Sequence, residues 1–442
     1  GVQVRRFSLG DDLVLSNYVG AMGFDEVTDW EYFQQDEDGR DRRRVEPNPL
    51  DPAQPTRTRK SSGSVVRVFR GEFEGLLGAT IRSKGMDRRV LVKEFAGEMA
   101  LKLAEAEWNA LGKLQSSIPD EDEDWIQPAS ARSVAAKKDN RNVCKLVAEL
   151  AKRPYLGILG EVNLAELEGN MDPNEFYRAL GVPPPKQGAI WIVYEYAGLQ
   201  SLQQYCQPAE IRRSRIPPKK VLFGIQAPPA VPKWADRANY IKAIMKQTLE
   251  ALATVHEAGV SHKSIGRSSV ILSSKEMDKM VASDVYTTAP YQLRVKLADF
   301  GFSGDMINYD SEFIQRARSF GIRIKTEEDA QEYAVAEDLH ALAFVYVGLM
   351  LTSLAEVPSV DFRMPPTDED SIQRQLVNIF KKDMMDFREY ISAEDIWSKV
   401  VDWLDQNEGW TMLESLWLAR ERVARNQGQT ARDVLSNSKF FA

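Results

Sequence analysis

Apolar positions in the first quarter of the chain follow two different periods. The runs Leu13–Val19, Val65–Phe69 and Val90–Val92 have the short, β-branched-rich character of strands. Gly20–Gly23 follows the first run and leads to further apolar positions, which predicts a glycine turn and a return strand. Apolar residues in Met99–Leu114 recur at three- and four-residue spacing, as in an amphipathic helix. Several strands followed by one helix are therefore expected.

The rest of the chain adds two strand-like runs and then becomes helical. Tyr155–Leu159 and Ala189–Tyr196 are expected to be strands, and Tyr240–Ala258 is a strongly periodic helix that Gly259 should end. The longest mostly apolar run, Ala341–Ala355, is shorter than the ~20 residues that span a bilayer. We interpret it as a buried core helix, so no membrane span is expected.

Three segments break these patterns through charge runs or prolines. Residues 34–62 are acidic, then basic, then proline-rich, and we predict an irregular insertion there. Residues 116–150 are acidic and then basic, and we predict a second insertion. Residues 207–235 contain six prolines, more than a continuous helix accepts, which predicts a surface loop.

The amino-acid composition excludes several classes of function but does not select a single one. The 442 residues are 43% hydrophobic and 28% charged, which is ordinary for a globular protein. A net charge of -8 argues against a nucleic-acid partner. The two cysteines, Cys144 and Cys206, exclude a disulfide scaffold and an all-cysteine zinc site. The chain starts at Gly1 rather than Met, which leaves a removed or omitted targeting segment open.

The segment His262–Ser269, followed thirty residues later by Asp299-Phe300-Gly301, resembles the catalytic loop and metal-binding motif of protein kinases. Kinases carry H-R-D-x-K-x-x-N in this loop, where the Asp accepts the substrate proton and the Asn holds a magnesium ion. Here Ser264 stands at the Asp position, Gly266 at the Lys position and Ser269 at the Asn position. A hydroxyl without a neighbouring base is a poor proton acceptor, and one neutral oxygen is a weak magnesium ligand.

Further motifs widen the resemblance to most of the chain. Six segments occur in protein-kinase order: Gly20–Val27, Val90–Lys93, Tyr194–Ala197, His262–Ser269, Asp299–Gly301 and Asp338–Leu342. The chain thus resembles the protein-kinase superfamily, and its opening, Leu9–Leu15, is similar to the chloroplast state-transition Ser/Thr kinase family. The resemblance implies an α+β, two-lobed fold, with a small β-rich N-lobe at residues 1–198 and a larger helical C-lobe at 199–442. It also implies a chloroplast location, on the stromal side or associated with thylakoids.

The same resemblance implies roles for individual residues. Lys93 matches the lysine that joins ATP phosphates to a helix glutamate, for which Glu107 is the better candidate and Glu105 the alternative. Asp299 matches the magnesium-binding Asp, and Gly20 matches the phosphate-binding glycine loop. Glu195 and Ala197 match the adenine-binding hinge, and His262 with Phe300 matches residues that pack in the core. All of these residues could also be retained for packing alone.

Other positions depart from the kinase pattern. Met22 and Asp25 stand where the phosphate loop has glycines, and Leu91 stands where kinases have a small residue against the adenine. We therefore expect a pseudokinase-like binding or scaffold protein with little or no phosphoryl transfer and weak binding of ATP and Mg²⁺. The alternatives are an atypical Ser/Thr kinase and an ATP-binding switch. The expected partner is a protein or larger complex, contacted through residues 36–60, 120–125 and 208–232.

Overall fold

The computed structural model describes most of the chain in two compact units. The small unit holds Gln3–Glu105 and Leu159–Tyr194, and the large unit holds Ala106–Ile158 and Glu195–Ala442. The predicted lobes at 1–198 and 199–442 stay a prediction. The described residues are 5–28, 32–35, 41–44, 47–48, 51–55, 58–116, 118, 132–163, 173–182, 188–198, 200–215, 219–220, 226–227, 230–275, 288–307 and 309–442.

The elements mix helices and strands, which confirms the α+β class. The strands are β1 Arg6–Phe7, β2 Leu13–Thr28, β3 Tyr32–Gln35, β4 Asp41–Arg44, β5 Pro47–Asn48, β6 Asp51–Pro55, β7 Thr58–Phe73, β8 Arg89–Ala96, β9 Ile158–Val162, β10 Ala189–Glu195, β11 Lys219–Lys220, β12 Gln226–Ala227, β13 Val260–Ser261, β14 Val270–Ser274, β15 Leu293–Leu297 and β16 Gly304–Asp305. The helices are α1 Gly75–Ser83, α2 Glu98–Gln115, α3 Arg132–Leu150, α4 Pro173–Ala179, α5 Leu202–Tyr205, α6 Ala209–Arg215, α7 Trp234–Glu257, α8 Ser311–Ser319, α9 Glu327–Ser353, α10 Glu369–Arg374, α11 Met384–Ser392, α12 Ser398–Gln406, α13 Gly409–Trp417, α14 Ala419–Ala424 and α15 Ala431–Asn437.

The small unit is built on a six-stranded sheet in the order β1-β9-β10-β8-β7-β2. The predicted strands at Val65–Phe69, Val90–Val92 and Ala189–Tyr196 are confirmed as parts of β7, β8 and β10. One face is apolar, and on it Phe69 and Trp191 stack with ring centroids 5.3 Å apart. Burial of such rings on one sheet face is a main source of stability in a unit of this size.

The glycine turn predicted at Gly20–Gly23 is wrong. β2 continues straight through both glycines, and β7 pairs antiparallel with it along its whole length. The ladder shifts register between Tyr18 and Gly20 and again between Gly23 and Asp25. Glycine accommodates such bulges as readily as turns, so its presence alone does not select a turn.

The irregular character predicted for residues 34–62 is also wrong where the structure describes them. β3 pairs with β4 in a hairpin, β5 pairs with β6, and β7 already begins at Thr58. Arg42–Arg44 therefore belong to a strand rather than to a loop. Charge runs are compatible with strands that face solvent, which the composition of this segment does not distinguish from loops.

The large unit is organised around two long helices, α7 and α9. The predicted helix at Tyr240–Ala258 is confirmed, although α7 begins earlier, at Trp234. Gly259 follows it with φ +74°, a left-handed conformation in which glycine readily ends a helix. α9 contains nearly all of the predicted core helix, and its part from Leu342 to Ser353 is buried all round, as expected for a helix surrounded by others. It packs against α7, α10, α13 and α14.

The N-terminus of α9 carries a complete capping box. The Asp329 amide donates to the Thr326 hydroxyl at 3.2 Å, and the Thr326 amide donates to Asp329 Oδ2 at 3.0 Å. These bonds satisfy amides that otherwise lack helical partners. Among the described residues, α9 is the one helix long and apolar enough to cross a membrane, but 89% of its most apolar 18-residue window is buried. It is placed as a core helix.

Helices also occupy parts of the other two segments that break the sequence patterns, residues 116–150 and 207–235. α3 lies within the segment 116–150, which was predicted to be an insertion. Its last turns bury Val143, Val147 and Leu150, so these residues belong to the core. α6 lies in the predicted proline-rich loop 207–235, between the prolines. The strand predicted at Tyr155–Leu159 begins at Ile158 and continues to Val162. Residues 120–125 lie outside the described part of the chain.

Candidate functional site

Asp338 holds the backbone of the loop that follows β13. Its Oδ2 accepts from the His262 amide at 2.7 Å and its Oδ1 accepts from the Lys263 amide at 2.8 Å. The Oδ2 atom also accepts from His256 Nε2 at 3.0 Å. Lys263 has φ +62°, a strained conformation for a side chain other than glycine, and the two amide bonds stabilise it.

The buried carboxyl of Asp338 is ionised at neutral pH. Burial opposes its charge most strongly, but the hydrogen bond and charge of His256 and the other donors outweigh burial, so its pKa lies below the usual value of 3.8. Each of its two oxygens already accepts a hydrogen bond. Asp338 is therefore a structural acceptor for the loop and is not available as a general base.

The ring of His262 links this loop to the segment after β15. It is fully buried, its Nε2 donates to the Ala298 carbonyl at 2.9 Å, and it lies 4.8 Å from the ring of Phe300. Burial lowers the pKa of His262, so the ring is neutral at neutral pH. The predicted packing role of His262 and Phe300 agrees with this geometry.

The loop carries no acidic or basic side chain at Ser264, Gly266 and Ser269. Ser264 is half-buried, and no hydrogen bond joins it to a carboxylate in the part of the chain that the structure describes. The Ser269 hydroxyl donates to the Gly266 carbonyl at 2.9 Å and accepts from the Gly266 amide at 3.0 Å. Ser269 thus closes a short 3-10 turn over Arg267–Ser269, and its one proton is already committed.

Arg267 fixes the same loop from the other side. Its guanidinium contacts the Thr367 carbonyl, and its Nε lies 3.3 Å from Glu369 Oε1, which also accepts from the Arg267 amide at 3.1 Å. Gly348 in α9 makes room for the guanidinium, since a Cβ there would overlap it. Glu369 is therefore already paired and is not free to serve as a base for Ser264.

Asp299 lies beside this loop in the large unit. It has φ +62° and ψ +54°, it is exposed, and Phe300–Phe302 forms a 3-10 turn directly after it. β14 and β15 pair with Val270 opposite Leu297, which brings the end of the loop next to the segment that carries Asp299. The structure thus brings His262, Ser264, Gly266, Ser269 and Asp299 into one region.

Glu195 is committed to a buried ion pair. Lys296 Nζ lies 2.6 Å from Glu195 Oε1 and also donates to the Leu150 carbonyl at 2.7 Å. Both side chains are at most 5% exposed, and burial lowers the pKa of Lys296 despite the attraction of Glu195. Ala197 is buried next to Gly198, which has φ +94°. Any ligand contact here would therefore use the backbone, because the Glu195 carboxylate is occupied.

In the small unit, Gly20 and Lys93 lie on one row of the sheet. Gly20 pairs with Val68, and Val68 pairs with Lys93 on its other side. Lys93 is 5% exposed, and its Nζ lies 5.0 Å from the centre of the Tyr194 ring, a cation–π distance. Glu107, in the large unit, is 2% exposed, whereas Glu105, the last residue of this part of the small unit, is exposed. The preference for Glu107 as the partner of Lys93 stays a prediction.

Three functional-region residues were missed from the sequence: His256, Lys296 and Glu369. Each acts through a partner 82 to 102 positions away, so no local pattern marks it. The Ser269 hydroxyl is engaged with the backbone of Gly266, at the position where the kinase resemblance expects a magnesium ligand. Within the described residues, no group of three or more His, Cys, Asp or Glu is placed to hold a metal ion.

No protein-family model matches the chain, and no curated protein matches it.

Proposed function

We propose that this chain is a pseudokinase-like binding or scaffold protein, with a protein-kinase fold and little or no phosphoryl transfer. One observation carries the proposal: Asp338 holds the loop His262–Ser269 in shape, while no carboxylate of the described residues is hydrogen-bonded to Ser264. The loop keeps its structural support, and the positions that would perform proton transfer hold a hydroxyl and a glycine.

A positioned general base contributes about 10²–10⁴ to the rate of such a transfer. The two carboxylates hydrogen-bonded to the loop, Asp338 and Glu369, already accept other donors. Ser264 by itself cannot take the proton from a substrate hydroxyl at neutral pH. We therefore expect phosphoryl transfer to be absent, or lower than in an active kinase by at least that factor.

Turnover of radiolabelled ATP tests the proposal in three proteins: the wild type, Asp299→Asn, and a restored triple variant, Ser264→Asp/Gly266→Lys/Ser269→Asn. The expected result is background turnover in the first two. A gain of turnover in the triple variant would show that the missing side chains were the limiting feature. Robust transfer by the wild type, abolished by Asp299→Asn, would refute the proposal and favour an atypical Ser/Thr kinase.

An ATP-binding switch is the second candidate, favoured by the burial of two charged residues at the positions that the resemblance assigns to ATP. Lys93 and Glu107 are 5% and 2% exposed, and charges are rarely buried without a reason. We nevertheless expect weak Mg·ATP binding, since the second metal ligand is replaced by Ser269. A thermal-shift titration measures this, because a ligand stabilises in proportion to the logarithm of its concentration over its dissociation constant. A large shift at micromolar ATP, lost in Lys93→Ala, would favour the switch.

A binding protein must present a surface, and we propose that the segment from Asp36 to Lys60 contributes to it. Charged strands with aromatic neighbours suit this role, because charges steer encounter while rings bury area. Replacing the segment by a Gly/Ser linker should weaken capture of a partner complex from chloroplast extract and leave the thermal midpoint nearly unchanged. If capture is undiminished, the segment does not contribute to the binding surface. The chloroplast location, stromal or thylakoid-associated, is part of the proposal and is checked by fractionation.

A further inference from the structure

A cleft of about 510 Å³ opens in the large unit. The C-terminal turn of α7, the first turns of α9 and the start of α15 form its walls. Its lining is mostly apolar in area, with Ala253 and Val335 among its contributors. The volume is within the ~300–1,000 Å³ typical of ligand pockets. The cleft is therefore large enough to enclose a long side chain.

Three acidic side chains and one basic side chain, Arg432, are among those that line this cleft. Glu328 and Glu332, one turn apart on α9, line it together with Glu257 from α7. Glu257 is paired with Arg432 at 2.9 Å. Neither Glu328 nor Glu332 has an ion pair with another described residue. Two uncompensated carboxylates thus give the cleft a negative potential, which attracts a cation.

Two of the side chains that line the cleft also carry a buried hydrogen-bond acceptor. His256 lines the cleft with a side chain that is 5% exposed, and its Nδ1 has no hydrogen-bond partner among the described residues. Its Nε2 donates to Asp338, so Nδ1 presents a lone pair whenever the ring carries a single proton. Gln429 also lines the cleft, and its buried Oε1 has no partner in the described part of the chain either. Unsatisfied buried acceptors are rare in folded proteins and call for a donor.

From this geometry we infer that the cleft binds an arginine side chain of a partner protein. The guanidinium carries five N–H donors and no acceptor, which matches His256 Nδ1, Gln429 Oε1 and the two glutamates. The three methylenes of arginine suit the apolar lining. This inference deepens the proposed function by giving the chemistry of the partner, and it rests on the chain being a binding protein.

The first test is a titration of the full chain at pH 8 and low salt with acetyl-Ala-Leu-Arg-Leu-Ala-amide, followed by isothermal calorimetry. The same peptide with citrulline, a neutral isostere of arginine, is the control. We expect the arginine peptide to bind at least tenfold more tightly, and its affinity to fall with added salt. Equal binding of both peptides, or no binding of the arginine peptide, would overturn the inference. Agmatine, a small molecule with a guanidinium group, distinguishes an arginine of a protein from a free cation. If agmatine binds as tightly as the peptide, the cleft binds a small cation, and the assignment to a partner protein is overturned.

The second test places the site. Glu328→Gln/Glu332→Gln should weaken the arginine peptide about tenfold, at about threefold per exposed carboxylate. Glu327→Gln is the matched control, since Glu327 lies in the same first turn of α9 but does not line the cleft. Its affinity should equal that of the wild type. Unchanged affinity in the double variant would show that the peptide binds elsewhere and would overturn the assignment. Neither result depends on phosphoryl transfer, so this inference can fail while the proposed function stands.

Discussion

Replacing Asp338 by Asn should destabilise the protein by about 2–4 kcal/mol. With its amide oxygen in the place of Oδ2, Asn keeps the bonds from His262 and His256, but its NH₂ group then faces the Lys263 amide, a donor. One charge-assisted bond worth about 1.5–3 kcal/mol is lost, and two others weaken by about 1 kcal/mol each. Because Asn is neutral, the variant does not bear the cost of burying a charge, and this offsets part of the loss. Urea unfolding at pH 7 measures the difference, and Asp402→Asn, an exposed change of the same charge on α12, should be nearly neutral.

The pH dependence of this stability difference tests whether Asp338 acts as an ionised acceptor. The pKa of Asp338 is lowered in the folded state, so its contribution is fully present above the usual value of 3.8 and is lost as pH falls through the folded pKa. The gap between wild type and Asp338→Asn should therefore be constant above about pH 5 and shrink below about pH 4. A gap under about 0.5 kcal/mol at pH 7, or one that widens in acid, would show that Asp338 does not support the loop as an ionised acceptor.

Three further changes test other contacts by urea unfolding. Lys296→Met should cost about 3–5 kcal/mol because it leaves Glu195 buried and unpaired, and a variant at wild-type stability would show that this pair is not buried. Gly348→Ala should cost about 1–3 kcal/mol, since its Cβ would overlap the guanidinium of Arg267; a stabilised variant would contradict the close approach. Tyr177→Phe should cost about 1 kcal/mol through loss of the 3.0 Å bond that its hydroxyl donates to a buried glutamate, and an unchanged midpoint would argue against that bond.

The contrast between Met99–Leu114 and Gly20–Gly23 shows which local signals were reliable. The helix was predicted correctly because three- and four-residue spacing of apolar side chains has one compact solution, and α2 has it. The glycine turn was wrong because glycine tolerates a bulged strand as well as a turn, and only pairing with β7 decides between them. Charge runs failed for the same reason at β4, where pairing with β3 makes the basic segment a strand.

The sequence by itself determined the α+β class, the long core helices, the order of the motifs and the absence of an acidic or basic side chain at Ser264, Gly266 and Ser269. These follow from residue identity and short-range periodicity. The tertiary structure alone decided that Asp338 supports the loop, that Glu195 pairs with Lys296, and that His256 lines an acidic cleft. Each of these depends on partners about 80 to 100 positions apart. Burial and hydrogen-bond satisfaction are properties of the folded neighbourhood, so no local reading of the chain could supply them.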